Sequence, residues 1–290
     1  MNKMSLYAVL FISSFFLSSS GLAMHELQKK QWADIKNIEP KLRIIKETYL
    51  ASLHVYKQAT DEIHCWFSPS WRAYANQVTY SYAPDEAAAQ QLIDQVISKA
   101  REFKRSVAWT VESTFCPSNM GQLLEKNGFQ NVGTFPAMIY YIDELTEKPL
   151  NPDIEIKKIT QAELAPWLEI VAQGANYDST LKKAYHDALI KDGINTAKTE
   201  HYALYYQGQI ACVGSLHLGG EWLGIYSVAT KQEFRGKGFA TALMYFFLQR
   251  AGELKVNYVL LLANPVAEHM YRTIGFKKIS ELPIYVYKCE

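Results

Sequence analysis

Residues Val256 to Ala263 form an almost unbroken apolar run. Such a run is typical of a strand at a buried, central position in a sheet covered on both faces. The chain around it has matching periodicities. Ile154 to Ile159 alternates like a strand. Ala162 to Ala175 and Thr180 to Lys191 read as helices, and Tyr202 to Tyr206 and Gln209 to Leu218 as strands joined at Gln207-Gly208. Trp222 to Ala229 is a further strand, and Gly236 to Ala251 is helical. Pro265 to Thr273 reads as a short helix with proline in its first turn and Gly275 at its stop. Pro283 to Cys289 closes the chain as a strand. The order β-α-α-β-β-β-α-β-α-β predicts an α/β layered domain.

The chain has 290 residues, enough for two domains. The punctuation falls at Glu147-Lys148-Pro149-Leu150-Asn151-Pro152-Asp153, which reads as a linker. The first half carries strands at Ile63 to Phe67, Val78 to Tyr82, Val107 to Glu112 and Met138 to Ile142. Its helices are expected at Asp85 to Phe103 and Asn119 to Lys126. The two halves can be overlaid. Gly128-Phe129 and Gly275-Phe276 lie 147 residues apart (275 − 128), as do Phe135-Pro136 and Leu282-Pro283. We therefore expect two copies of one fold.

The chemistry concentrates where strand Trp222–Ala229 runs through Thr230 into Arg235-Gly236-Lys237-Gly238-Phe239-Ala240-Thr241 and opens a helix. Backbone N–H groups at such a helix start form an anion site, helped by the helix dipole. Gly236 and Gly238 lack a Cβ, so phosphate oxygens can approach closely, and Arg235 and Lys237 add positive charge. Alone, this loop also reads as an ordinary surface turn. A second element follows the buried strand: Asn264, Ala267, Tyr271, Gly275 and Phe276 in the spacing N-x-x-A-x-x-x-Y-x-x-x-G-F.

Together, R-x-x-G-x-A (Arg235, Gly238, Ala240), an apolar strand and that second pattern resemble the GNAT superfamily of N-acetyltransferases, over about Ile154 to Glu290. Met270 departs from the leucine more usual in the family, a volume-conserving change. The resemblance implies two GNAT-like domains, each a mixed sheet flanked by helices. Residues 24–146 would be a degenerate copy and 153–290 the catalytic one. It implies acetyl-CoA as co-substrate, with the backbone from Arg235 to Thr241 on the pyrophosphate. The strand end Val228-Ala229-Thr230 would pair with the pantetheine arm, where the two central strands splay at a bulge. Asn264 would contact the cofactor or brace the second strand, and Tyr271 would lie near the thioester sulfur as its acid. The acceptor is expected to be a primary amine of a small molecule or peptide. An acyl-CoA sensor without turnover and an exported effector acting on a host target are the alternatives.

An amine of pKa about 10.4 reaches the enzyme almost wholly protonated at pH 7, so a base is needed unless the acceptor arrives neutral. Glu221, which precedes the central strand, is the candidate base, with Tyr226 and His217 as further lining candidates. The first copy lacks this equipment. The offset places Leu124 where Tyr271 stands, Pro117 where Asn264 stands, and Ala88-Ala89-Gln90-Gln91 where the glycine loop stands.

With 30 basic and 29 acidic residues and no Lys/Arg-rich run, nothing favours a nucleic-acid surface. Cys65, Cys116, Cys212 and Cys289 are too widely spaced for a zinc site, and no histidine pair suggests a metal. At the N-terminus, Lys3 precedes the apolar run Leu6 to Leu17, with Gly21 and Ala23 placed as in a signal-peptide cleavage site. The run is too short to span a membrane. Met24-His25-Glu26-Leu27 also reads as a normal start. Residues 1–23 are thus either a signal peptide of a secreted protein or an untranslated extension of a cytoplasmic one.

Overall fold

A computed structural model of the chain describes residues 38, 40–47, 56–112, 117–145 and 151–289. The expectations placed on residues 1–23, on Cys116 and on 147–150 lie outside the described residues. Helix α1 (40–47) is followed by β1 (Tyr56–Ala59), β2 (Ile63–Phe67), β3 (Gln77–Ser81), α2 (Glu86–Phe103), β4 (Val107–Thr110), α3 (Met120–Lys126) and β5 (Phe129–Tyr141). Then come β6 (Ile154–Lys158), α4 (Leu164–Ala175), α5 (Ser179–Asp192), β7 (Thr199–Tyr206), β8 (Gln209–Leu218) and β9 (Trp222–Thr230). The chain finishes with α6 (Phe239–Glu253), β10 (Tyr258–Leu262), α7 (Glu268–Ile274) and β11 (Lys277–Tyr287). The fold is α/β, one mixed sheet between layers of helices.

All eleven strands among the described residues belong to that sheet, in the order β1-β2-β3-β4-β11-β5-β10-β9-β8-β7-β6. The last strand of each half crosses over. β11 lies between β4 and β5, and β5 lies between β11 and β10. Within each half the parallel pair, β3 with β4 or β9 with β10, is thus extended by the other half's final strand. The register shows how the halves relate. Phe135 and Leu282, which correspond under the 147-residue offset, are direct cross-strand partners. Pro136 and Pro283 also correspond, and each turns its carbonyl outward to the neighbouring chain, accepting from Ala263 and Val111 respectively. A pseudo-twofold axis therefore passes between β5 and β11. Both strands are longer than expected, because β5 and β11 stay paired through both prolines.

Side-chain alternation assigns the two faces. Val213 packs on α4 and α5, whereas a Cβ on neighbouring Gly214 would meet Phe247 of α6 at 2.9 Å. Met138 and Tyr140 of β5 join the α6–α7 core, and Ala137 and Ile139 join the α1 cluster. α2 and α3 cover Trp109, Val78 and Tyr285 on the same face as α6 and α7. α1 lies on the opposite face across the centre of the sheet, with Leu42 and Ile45 against Ala137, Ile139, Trp222 and Leu260. Gly224 makes that approach feasible, since a Cβ there would stand 2.5 Å from Ile45.

Gly224→Val should lower the unfolding free energy by about 1–3 kcal/mol through overpacking against Ile45. Urea denaturation measures this, and an unchanged midpoint would mean that α1 does not press on β9.

Candidate active site

The ladder between the parallel strands β9 and β10 runs from Trp222/Tyr258 to Ile225/Leu261 and stops. β9 continues to Thr230 while β10 ends at Leu262, so the strands fork. On its other side β9 slips register against β8 between the Val213/Ala229 and Ser215/Tyr226 pairs. Ser227 lies in that bulge with φ 54°, a left-handed conformation unusual for serine. The buried Tyr185 phenol lies within hydrogen-bonding reach of Ser227.

A cavity of about 370 Å³ opens at the fork. Its floor is Ile225 to Ala229 of β9, facing Leu261 and Leu262 of β10. α4 supplies one wall through Gly174, whose missing Cβ lets Ala229 approach: an added Cβ would be 2.8 Å away. α1 supplies another through Leu42, Ile45 and Lys46, and Phe135 comes from β5. Asn264 and Tyr271 close the β10 side. The cavity is therefore assembled from both halves of the chain.

Tyr271 is buried at the cavity, edge-on to Phe276 at 5.8 Å between centroids. Burial, with a smaller contribution from Cys212, pushes its phenol up to about 12. Asn264 accepts a hydrogen bond from the Val266 N–H at 3.1 Å, so it braces the turn that carries β10 into α7. Cys212 is buried, accepts from the Thr230 hydroxyl at 3.3 Å, and is pushed up to about 11 by burial.

Beyond Thr230, a second cavity of about 240 Å³ is lined by Arg235, Gly236, Gly238, Phe239, Ala240 and Thr241, among others. Gly238 is the N-cap of α6 with φ 80°, and no side chain caps that helix. Gly236 has φ 76°, and an added Cβ at either glycine would meet nothing within 4 Å. The glycines thus provide left-handed backbone and an open approach to uncapped amides. Arg235 donates through Nε to the Thr230 carbonyl at 3.2 Å, tying the loop to the end of β9. The Lys237 ammonium lies 5.2 Å from the Phe234 ring centroid. Such a pocket of uncapped amides and basic side chains fits a pyrophosphate.

The structure thus brings together Val228, Ala229, Thr230, the 235–241 loop, Asn264 and Tyr271. It does not bring Glu221 to them. Glu221 lies at the opposite end of β9, in the β8–β9 hairpin, where its carbonyl accepts from Asn257 N. Five residues of strand separate it from Tyr226, roughly 17 Å at 3.3 Å per residue. The candidate base is corrected accordingly. Ligands of parallel strands gather at their carboxyl ends, and Glu221 stands at the amino end. His217 lies in the same hairpin, stacked on Trp222 at 5.3 Å and lowered to about 4 by burial. Tyr226 does line the cavity, and burial keeps its phenol protonated. Sequence reasoning missed Lys46, Gly174, Tyr177 and Ser227. Only the apolar spacing of Ile38, Leu42 and Ile45 hinted at the helix that delivers Lys46.

The corresponding region of the first half is built differently. Ala88 to Gln91, the counterparts of the loop, already lie within α2. The helix start is capped by its own chain, the Asp85 carboxylate accepting from Ala88 N at 2.8 Å. The adjoining groove includes Asp61 and Glu62. Leu124 is fully buried where the second half has Tyr271.

Residues 162–276 match the family model described as the acetyltransferase (GNAT) family. A search of curated proteins found none that matches. Among solved structures, the chain resembles a GCN5-related N-acetyltransferase from Kribbella flavida (TM-score 0.64, 12% identity, covering 85% of this chain and 95% of that one). It also resembles a functionally unknown conserved protein from Staphylococcus epidermidis (TM-score 0.63, 15% identity, 81% and 94%). A third is a tandem GNAT protein from the clavulanic acid biosynthesis pathway (TM-score 0.57, 12% identity, 79% and 78%). The chain carries a GNAT-family acetyltransferase domain in a tandem-GNAT-like fold. It is an acyltransferase, and the family draws its acyl group from acetyl-CoA. Among the described residues there is no group of three or more His, Cys, Asp or Glu side chains that could hold a metal. No helix among them is long and apolar enough to cross a membrane.

Ser227→Val should destabilise the protein by about 1–2 kcal/mol, because a β-branched residue resists left-handed backbone. Ser227→Gly should relieve that strain. Equal stability of the two variants in urea would show that the bulge does not impose this conformation.

Proposed function

We propose that this chain transfers an acetyl group from acetyl-CoA to a primary amine of a small molecule or peptide. The observation that carries the reading is the continuity of two sites along one strand: the uncapped α6 amides at the end of β9 and the forked cavity with Tyr271 beside it. In this reading residues 235–241 hold the pyrophosphate and residues 228–230 pair with the pantetheine arm. The amine enters neutral, and its nitrogen bonds to the thioester carbonyl carbon. The carbon–sulfur bond then breaks, and the proton shed by the nitrogen passes through solvent to the departing thiolate. A β9 backbone N–H beyond the end of the β9–β10 ladder supports the oxyanion.

Tyr271 faces the departing sulfur. A phenol raised to about 12 gives up its proton to a thiolate of pKa near 8.5 only uphill, by roughly 5 kcal/mol. Its contribution is therefore a hydrogen bond to sulfur as negative charge develops, with the phenol remaining the proton's owner. The same burial keeps it protonated across the working range, so its ionisation sets no alkaline limit below about pH 11.

The domain organisation follows: residues 153–290 carry the chemistry, and the first half has given up donor binding. The Asp85 cap, the carboxylates in the adjoining groove and Leu124 support this. The first half keeps a structural share in the site through α1 and Phe135.

Calorimetric titration with acetyl-CoA should give one site per chain. Gly238→Glu should abolish it, since a carboxylate there meets the pyrophosphate. Retained binding would remove the phosphate assignment. Tyr271→Phe should lower kcat by about 10–100-fold with little change in donor affinity. A variant as active as the parent would leave Tyr271 with packing alone.

A further inference from the structure

Among the described residues that line the forked cavity, Lys46 is the one with a charged side chain. It is delivered there by α1, whose position is fixed by Ile45 against Gly224 and by Leu42 in the central cluster. The Lys41 ammonium adds a hydrogen bond to the Tyr258 hydroxyl at 2.6 Å. Lys46 is thus held in place by packing on the second half, although it belongs to the first.

Its surroundings leave its charge poorly matched. The Lys46 ammonium donates to the neutral Thr110 hydroxyl at 2.7 Å. An ammonium has three donors, and among the described residues no carboxylate lies within ion-pair distance of this one. The two nearby carboxylates have other partners. Glu112 lies 3.7 Å from the Arg43 guanidinium. Glu47 accepts from the Thr79 hydroxyl and contacts His64 Nδ1, both at 2.7 Å. Arg43 in turn stacks on the Tyr80 ring at 4.3 Å. Burial brings Lys46 down to about 8, against the opposing pull of Glu112 and Glu47. At pH 7 it remains mostly protonated, roughly ten to one.

A cation at the wall of an otherwise uncharged cavity, with donors to spare, is complementary to an anion. The donor's pyrophosphate has its own place at α6. The anion that meets Lys46 therefore belongs to the other substrate. We propose that the acceptor is a small amine that also bears an anionic group, a carboxylate or a phosphate, and that Lys46 binds that group while the amine faces the β9–β10 fork. The inference rests on the acetyltransfer reading and narrows its acceptor. It disfavours polyamines and lysine-rich peptides, which would bring a second cation against Lys46. The cavity volume of about 370 Å³ suits an acceptor the size of an amino acid.

The test compares matched acceptors on the wild-type chain. Free amino acids are set against their carboxamides, and phosphoethanolamine against ethanolamine, following thiol release from acetyl-CoA. At least one anionic member should exceed its neutral partner by about tenfold or more in kcat/KM, the size expected of one charge-assisted contact. Which pair shows the preference distinguishes carboxylate from phosphate. Lys46→Met should bring that ratio to about one, with acetyl-CoA calorimetry reporting that the variant is folded. Neutral partners that match the anionic ones overturn the proposal, as does a preference that survives Lys46→Met. A chain that binds acetyl-CoA but uses no anionic amine in the panel also overturns it, leaving the acetyltransferase reading in place. A folded chain that does not bind acetyl-CoA removes that reading itself.

Discussion

The pairing of β5 with β11 is the contact on which the rest of the molecule depends. It joins the two halves of the chain into one sheet and places Phe135 opposite Leu282 on a pseudo-dyad. It also decides what borders the chemistry. Because β5 takes the place beside β10, the wall of the cavity includes a first-half residue, Phe135. The same arrangement gives α1 a central platform made from strands of both halves. The first half thus has a physical role in a site whose glycine loop lies wholly in the second.

The contrast between the two helix starts shows how little separates a ligand site from a structural one. α6 opens on a left-handed glycine with no side-chain cap. α2 opens on Asp85, which satisfies the amide with its own carboxylate. An N-cap of this kind is worth about 1 kcal/mol to stability, and at α6 no side chain supplies it. The fork and bulge on β9 follow the same pattern. Backbone groups that a regular sheet would pair lie beyond the end of the β9–β10 ladder.

Much of the second half was legible because its signals are local. α4, α5 and β9 follow from periodicity, and the Gly238 and Gly275 turns from glycine at positive φ. The family pattern pointed to the loop, Asn264 and Tyr271, since those residues stand at fixed spacing on adjacent elements. What was not legible depends on partners distant in sequence. The sequence places strands only from Met138 and from Pro283 onward, yet β5 and β11 pair with each other through both prolines and each gains a second neighbour there. Glu221 has a suitable side chain at the wrong end of the right strand. Lys46 carries no motif, and only the packing of α1 across the dyad brings it to the cavity. Its environment also depends on Thr110, sixty-four positions away.

The exchanged strands have a consequence for how the molecule is made. A chain emerging from the ribosome at about 5–20 residues per second completes β5 well before its partners β10 and β11 exist. For a time on the order of ten seconds the first half presents β4 and β5 as edges that lack their partners from the second half. Such edges invite pairing with another nascent chain. The sheet can close only when the last eleven-residue strand slides between two that were made long before it. Closure of the sheet therefore waits for β11, which joins β4 to β5.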